Sequence, residues 1–233
     1  MVSISEVFLA QKKILSRFEK AGLQISDTSD IAKIMEQLPI DSRNPTVHFD
    51  LEINDLHTAN SRVFCLGKID GSPEIIGVVA LRFDELGAGS LHRFLQGHWA
   101  RLYQGVGGAR VSIPDQPGIS NRINGRVGYA GKLWVSEDYR GTNPLSGSNI
   151  GTDLSLFGKF SCMMLWQLDW MYAWLERSSV NAGRAARWGY SDVQMSGLRF
   201  DVYPEKWPDG LALCACSREQ LQLFASYVCS LEQ

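Results

Sequence analysis

The stretch from Leu133 to Leu154, LWVSEDYRGTNPLSGSNIGTDL, decides how the rest of the chain is interpreted. Its first three residues end an apolar, strand-like run, and an Arg-Gly turn follows at 140–141. A polar loop then leads to Asn-Ile-Gly-Thr at 149–152, where a helical pattern of apolar residues begins. A strand, a turn and a helix in this order expose backbone N–H groups and the positive end of a helix dipole. The stretch therefore predicts a site for an anionic, phosphate-bearing ligand.

The composition is that of an ordinary globular protein, with 233 residues and a net charge of −2. Hydrophobic residues make up 45% and charged residues 21%, which argues against disorder and allows one large core. The small net charge predicts no electrostatic attraction to nucleic acid or to an anionic membrane. No run is apolar enough to span a bilayer, and the first residues do not read as a signal peptide. Five irregularly spaced cysteines predict reduced thiols and a cytoplasmic location.

Periodicity along the chain predicts an alternation of helices and strands. Helical patterns cover 4–20, 31–38, 90–104, 150–168, 179–188 and 217–231. Strand patterns cover 62–70, 75–83, 127–135, 169–176, 191–203 and 211–216, with a weaker one at 46–53. Residues 105–125 are rich in Gly, Pro, Ser and Asn and predict a long loop. A hairpin followed by a strand–helix–strand unit predicts an α+β fold with a mixed sheet.

The opening stretch resembles motif A of the GNAT superfamily, the acyl-CoA-dependent N-acyltransferases. Val-Ser-Glu-Asp-Tyr-Arg-Gly at 135–141 matches the exit of a strand, and Asn-Ile-Gly-Thr-Asp-Leu at 149–154 matches the start of a helix. The predicted hairpin at 62–83 resembles the second and third strands of the family. Asn-Ala-Gly-Arg-Ala-Ala-Arg-Trp-Gly-Tyr at 181–190 resembles its closing helix. The likeness covers about residues 60–200.

The resemblance implies a fold and a division of the chain. The fold is α+β, with a GNAT-like central sheet that is mixed, mostly antiparallel and flanked by helices. The sheet is splayed between the fourth and fifth strands of the family, which correspond to 127–135 and 169–176. One domain over 1–233 is implied, with N-terminal helices in 1–45, a core in 60–203, an insertion in 88–125, and a C-terminal strand and helix in 204–233.

The resemblance also implies residues that hold acetyl-CoA or another acyl-CoA. In the family, backbone amides of the turn hold the pyrophosphate, and the preceding strand contacts the pantetheine arm through its main chain. The cofactor-binding positions carried over are Leu133, Trp134, Val135, Arg140, Gly141, Asn149, Ile150, Gly151, Thr152 and Asn181. Asn181 stands where the family often has an asparagine beside pantetheine, and a helix cap is its alternative role. Four histidines without ligand spacing predict no metal site.

The usual catalytic acid and base of the family cannot be carried over. Ala185 stands where many members have a tyrosine on the closing helix, and Gly131-Lys132 stand where many have a carboxylate. Residues 142–148 also lengthen the turn, which predicts a reshaped pyrophosphate cradle. The candidate bases for the attacking ammonium are Glu176, Asp169, Asp84 and Glu85.

These features predict an N-acyltransferase that moves an acyl group, acetyl in the simplest case, from acyl-CoA to an amine of a small molecule or protein. Two alternatives remain open: a longer-chain enzyme that uses acyl carrier protein, and a catalytically inactive GNAT-fold binding module. Trp170, Tyr172 and Trp174 alternate and so share one face, which suits an acyl pocket or sheet packing. The arginines predicted near the acceptor side are Arg101, Arg110, Arg122 and Arg126. The oligomeric state stays open, a homodimer included.

Overall fold

In a computed structural model, the described part of the chain comprises residues 4–39, 47–49, 54–103, 111–112, 118–141, 149–200 and 210–230. The strands are β1 (Leu23–Thr28), β2 (Ser61–Lys68), β3 (Ile75–Ser90), β4 (Val111–Ser112), β5 (Asn124–Val135), β6 (Trp170–Glu176), β7 (Asp192–Gln194), β8 (Arg199–Phe200) and β9 (Leu211–Ser217). The helices are α1 (Ile4–Lys20), α2 (Ile31–Gln37), α3 (Leu91–Tyr103), α4 (Ile150–Trp166), α5 (Arg177–Asn181), α6 (Arg184–Arg187) and α7 (Arg218–Ser230).

A central sheet of seven strands has the order β1-β2-β3-β5-β6-β9-β7, and β4 pairs with β8 separately. The β5–β6 pair is parallel, and the other strand pairs of the described sheet are antiparallel. The parallel pairing joins only residues 127–129 to 170–172, although both strands continue beyond it. This confirms the predicted fold class, including the splay between the two strands.

The sheet buries both of its faces. On one face, apolar residues of α1, α4 and α7 pack together in a single core cluster. On the other face, apolar residues of α2 and α3 pack with Phe49 and Ile123 in a second cluster. The strands are therefore apolar on both sides, as is typical of a sheet covered by two layers. No helix of the described residues is long and apolar enough to cross a membrane.

Strong local patterns predicted most elements correctly, but β1 was not predicted, β4 lies inside the predicted loop at 105–125, and three further expectations were wrong. The weak strand pattern at 46–53 is wrong for residues 47–49, which form a 3₁₀ turn. The single helix predicted at 179–188 is two short helices, because the chain turns at Gly183 with a positive φ of 74°. The long strand predicted at 191–203 is divided into β7 and β8 by a turn, and residues 201–203 lie outside the described part.

The packing of α4 fixes where its first turn lies. Gly158 lets the helix approach β3 closely: a Cβ at this position would lie 2.9 Å from side-chain carbons of both Val79 and Leu81. In the first turn, the buried carboxylate of Asp153 accepts a hydrogen bond of 3.0 Å from Arg17 on α1. The close contact and the ion pair fix α4 against β3 and α1. Its first turn then lies at the end of β5, where a Cβ on Gly151 would be 3.6 Å from a Val135 side-chain carbon.

Candidate active site

A wedge opens where β5 and β6 diverge. The last paired residues are Tyr129 and Tyr172, and beyond them β5 continues to Val135 while β6 continues to Glu176. The backbone of β5 past Tyr129 is therefore not paired with β6 along this edge. Such a wedge offers strand-like hydrogen bonding to an extended, amide-containing ligand.

A β-bulge interrupts β5 within the wedge. The register with β3 shifts by one residue between Gly131 and Trp134, and Lys132 has a positive φ of 46°. A bulge leaves one residue out of the ladder and re-aims the neighbouring backbone groups. A left-handed conformation in a non-glycine residue is uncommon and is found at functional sites. The bulge lies within the predicted Gly131-Lys132 segment and immediately precedes Leu133, Trp134 and Val135.

The N-terminus of α4 lies at the end of β5. Asn149 is the N-cap: its Oδ1 accepts a hydrogen bond of 3.0 Å from the Thr152 amide, and its carbonyl accepts one of 2.9 Å from the Asp153 amide. The cap therefore uses the Thr152 and Asp153 amides and does not use those of Ile150 and Gly151. Free amides of a helix N-terminus attract anionic groups.

Arg140 and Gly141 follow the end of β5 directly. The Arg140 Nε donates a hydrogen bond of 3.0 Å to the Val135 carbonyl, and its Nη1 lies 3.2 Å from a Glu137 carboxylate oxygen. The guanidinium is more than half exposed and is available to an incoming anion. Gly141 has a positive φ of 96°, a conformation that favours glycine, so the turn depends on this residue.

The remaining predicted residues lie on the β6 side of the wedge, at the end of β6 and in the two short helices that follow it. Glu176 ends β6 and is exposed at the N-cap of α5, and Asn181 is exposed at the last position of α5. Ala185 is buried in α6 and presents only a methyl group. The two short helices therefore lie beside the open end of β6.

Asp169 lies at the opposite, paired end of β5 and β6. Its Oδ2 accepts a hydrogen bond of 2.9 Å from the Arg126 amide, and its Oδ1 accepts one of 3.1 Å from Arg218 on α7. These contacts tie the starts of β5, β6 and α7 together, and they are the contacts expected of a structural carboxylate. The structure thus separates Asp169 from the wedge, whereas Glu176 borders it.

The other two candidate bases lie on β3. The Asp84 carboxylate accepts hydrogen bonds from the buried Arg82 guanidinium, with N···O distances of 3.0 to 3.2 Å. Glu85 is exposed and lies 3.6 Å from Arg126. Both carboxylates therefore have a cationic partner within the chain.

The predicted aromatic face of β6 is confirmed, and it is mainly a packing face. Trp170, Tyr172 and Trp174 all contact the same core cluster. Tyr172 is buried, and a Cβ on Gly197 would lie 2.4 Å from a ring carbon of Trp174, so that ring fills the space over the turn. Burial raises the pKa of the Tyr172 hydroxyl well above its usual value.

Sequence reasoning missed two buried cations, one in β3 and one in α4. Arg82 lies in the apolar strand β3 and also donates a hydrogen bond of 2.6 Å to Asn54 and one of 3.3 Å to the His48 carbonyl. Lys159 is fully buried in α4, where it donates to the Trp188 carbonyl and lies 3.6 Å from the centre of the Tyr190 ring. Burial lowers the pKa of Lys159 to about 7. In each case the sequence shows one basic residue within an otherwise apolar run, and that pattern could have indicated a buried cation.

Of the four arginines predicted near the acceptor side, two form ion pairs with carboxylates of this chain and two have side chains outside the described part. Arg122 pairs with Asp192 at 2.8 Å, and Arg126 pairs with Glu85. The side chains of Arg101 and Arg110 lie outside the described part. Among the described residues, no group of three or more His, Cys, Asp and Glu side chains could hold a metal ion.

Comparison with known proteins gives matches of structure but not of sequence. No protein-family model matches the chain, and no curated protein matches it. The chain is similar in structure to a spermidine N-acetyltransferase SpeG chimera from Vibrio cholerae and hSSAT, with 9% identity, coverage of 86% of this chain and 98% of that one, and a TM-score of 0.47.

Two further structures are similar over most of the chain. Arabidopsis thaliana Naa50, in complex with the bisubstrate analogue CoA-Ac-MVNAL, has 14% identity, coverage of 84% of this chain and 99% of that one, and a TM-score of 0.44. FeeM, an N-acyl amino acid synthase from uncultured soil microbes, has 11% identity, coverage of 95% and 89%, and a TM-score of 0.35. Likenesses this distant concern the fold, so the function is inferred from this chain's own geometry.

Proposed function

We propose that the chain is an N-acyltransferase that binds acyl-CoA, with acetyl-CoA as the simplest donor, in the wedge between β5 and β6. The observation that carries the proposal is the end of β5–β6 pairing at Tyr129 and Tyr172, three residues before the bulge at Lys132 on β5. The exposed edge of β5 is suited to the two amide groups of a pantetheine arm.

The other end of the wedge suits the pyrophosphate. The Asn149 cap does not use the amides of Ile150 and Gly151. Arg140 and Gly151 both lie against Val135: Arg140 Nε donates to the Val135 carbonyl at 3.0 Å, and a Cβ on Gly151 would lie 3.6 Å from a Val135 side-chain carbon. A helix N-terminus and an arginine together are the usual means of holding a phosphate group. Leu133, Trp134 and Val135 contribute main-chain contacts in this proposal, and Asn181 borders the pantetheine arm.

The chemistry in this proposal is direct attack of an amine nitrogen on the thioester carbonyl. A backbone N–H next to the bulge, at Trp134 or Val135, stabilises the oxyanion that develops on the carbonyl oxygen. Glu176 is the candidate base because it borders the wedge, and Asp169 is the weaker one because it lies at the paired end. Holding the two reactants in contact supplies much of the rate.

A non-catalytic CoA-binding module is the second candidate function. It is favoured by the buried methyl group of Ala185 and by the absence of a carboxylate at Gly131 and Lys132. Release of free CoA thiol from acetyl-CoA, measured over a panel of small amines and peptide N-termini, separates the two functions. Amine-dependent thiol release supports the transferase, whereas CoA binding without thiol release on any amine supports the module.

Replacing Gly151 with alanine should weaken CoA binding about tenfold while leaving the fold intact. The added methyl group has room within the protein, with Asn149 Oδ1 at 3.5 Å and a Val135 side-chain carbon at 3.6 Å. It would instead obstruct a phosphate that approaches the helix amides. Calorimetric titration of CoA gives the affinity, and thermal unfolding should show unchanged or raised stability, because alanine favours helix.

Gly97→Ala in α3 is the matched control, because no atom of the described residues lies within 4 Å of a Cβ built there. We expect that variant to bind CoA as tightly as the unmodified protein. Equal affinity of the Gly151 variant and the unmodified protein would contradict the proposed pyrophosphate contact. No binding of CoA or acetyl-CoA by the unmodified protein would overturn the proposed function itself.

A further inference from the structure

One side of α7 runs along the rim of the sheet. The Gln220 side chain donates a hydrogen bond of 3.0 Å to Asp192, so this side of the helix faces β7. Leu223 and Tyr227 follow Gln220 at helical spacing, which places the three side chains on the same side of α7. Nevertheless, 60% of Leu223 and 54% of Tyr227 are exposed. This side of α7 is therefore apolar and is left largely uncovered by the described part of the chain.

Val193 extends this apolar surface onto β7. It lies opposite Cys214 of β9, and directly paired residues of neighbouring strands point to the same face of a sheet. Cys214 belongs to the core cluster that includes buried residues of α7, so Val193 is on the α7 side of the sheet. Of this residue, 39% is exposed. Val193, Leu223 and Tyr227 are called the rim surface below.

The strand β7 also offers backbone groups to a partner. It pairs with β9 on one side, and on the other side it is the last strand of the sheet within the described residues. The N–H and C=O groups along such an edge bond readily to another extended strand. The opposite edge strand, β1, is less suited to pairing because the Asp27 side chain is 61% exposed there. On β7 the charge of Asp192 is compensated by Arg122 at 2.8 Å.

The charges that border the rim surface fit a second copy of the same chain. Glu219 is exposed on α7, and Arg187 is exposed on α6, shortly before the Gly189 turn that packs against Phe224 of α7. Neither charge has an ion-pair partner among the described residues. A surface with an apolar centre and both signs of charge at its border is self-complementary about a two-fold axis, as a symmetric dimer requires.

The area of the rim surface suits a weak dimer. From their exposed fractions, the three side chains present roughly 300 Å², which is within the size range of patches that mark interaction sites. Two copies together contribute roughly 600 Å² of apolar surface, which at the usual apolar share of an interface corresponds to about 1,000 Å² in all. Because this is close to the lower limit for a specific contact, we expect association in the micromolar range.

We propose that two copies of this chain associate through the rim surface, with β7 of each copy antiparallel to the other about a two-fold axis at Val193. The two sheets then join into one, and the α7 helices cover each other's Leu223 and Tyr227. In this pairing Asp192 lies opposite Gln194 of the partner subunit, so no like charges face each other. The association does not depend on the proposed cofactor or reaction.

Sedimentation equilibrium of the whole chain at about 10 to 200 μM tests the association. We expect the unmodified protein to approach the mass of a dimer over this range. Leu223→Lys should raise the dissociation constant at least about tenfold, because each dimer then has to desolvate two added charges. Phe8→Lys is the matched control, because 61% of Phe8 is exposed on α1, outside the rim surface. That variant should associate like the unmodified protein, and thermal unfolding should show both variants folded.

Val193→Cys tests the strand pairing itself. In a pairing centred on residue 193 the two Cα atoms are about 4.5–5.5 Å apart, close enough for a disulfide. Oxidation by glutathione disulfide should crosslink this variant as a dimer but not the unmodified protein, whose described thiols are buried or half-buried. A monomeric unmodified protein at about 200 μM, or unchanged association of Leu223→Lys, overturns the inference. Loss of association in Phe8→Lys, or a dimeric Val193→Cys variant that does not crosslink, overturns it as well.

Discussion

Replacement of Arg82 with methionine should lower the free energy of unfolding by about 3–5 kcal/mol. Only 4% of Arg82 is exposed, and its guanidinium donates to Asp84, Asn54 and the His48 carbonyl. Methionine fills part of the space but donates nothing, so the Asp84 charge loses its cation in a largely buried place. Removing one member of a buried ion pair costs far more than the pair itself contributes. Urea unfolding at neutral pH measures the loss.

Arg122→Met is the matched control for this prediction. Arg122 makes an equally short ion pair, 2.8 Å to Asp192, but its side chain is 62% exposed. An exposed pair contributes about 0–1 kcal/mol, so the control should lose little stability. Adding Asp84→Asn to Arg82→Met should recover part of the loss, because the uncompensated charge is then absent. Equal losses in the Arg82 and Arg122 variants would contradict the account of a buried, charge-balanced cluster.

The stability of the protein should rise with pH above neutrality because of Lys159. Burial lowers the pKa of Lys159 to about 7 in the folded protein, against 10.5 as the ordinary value that the unfolded chain has. Between these values the unfolded state binds more protons, so the free energy of unfolding increases with pH. One group contributes about 1.4 kcal/mol per pH unit. Urea unfolding at several pH values from 7 to 8.5 measures this slope.

The upper end of that range is set by the cysteines beside Lys159. Burial raises the pKa of Cys214 to about 12 and that of Cys216 to about 11, from an ordinary value of 9.0. A raised thiol pKa makes stability fall with pH above about 9, which opposes the lysine. Lys159→Met should abolish the rise between pH 7 and 8.5, whereas Lys33→Met, on the exposed side of α2, should preserve it. A slope that persists in Lys159→Met would show that another group titrates.

Local side-chain patterns account for the elements that the sequence predicted well. In β2 and β3 the apolar run is nearly continuous because both faces of the sheet are covered, and α4 is buried along most of its length, so each of these elements stands out in the sequence. β1 has the pattern Leu-Gln-Ile-Ser-Asp-Thr, with a single buried residue. An edge strand of this kind has few apolar positions, so its pairing with β2 comes from tertiary contact and not from a local signal.

The candidate site was predictable where it depends on the backbone and was not where it depends on distant partners. The strand, the glycine turn and the helix start at 149–152 are local, and they were predicted from sequence, whereas the capping role of Asn149 was not. The ion pair of Asp153 with Arg17 joins residues 136 positions apart, and the Tyr129 ring packs against His48 and Phe49 from a distant part of the sequence. Long-range contacts of this kind have no signature in the local sequence.

Titration of CoA into isotopically labelled protein, followed through assigned backbone amide resonances, tests the cofactor wedge most directly. We expect the largest changes at Trp134 and Val135, at Ile150 and Gly151, and along residues 173–176 of β6, because the proposed CoA site lies between these segments. The resonances at the start of α7, which Arg218 ties to Asp169 at the paired end of β5 and β6, should change little. Binding with its largest changes outside the wedge, or no change at these amides at saturating CoA, would contradict the account.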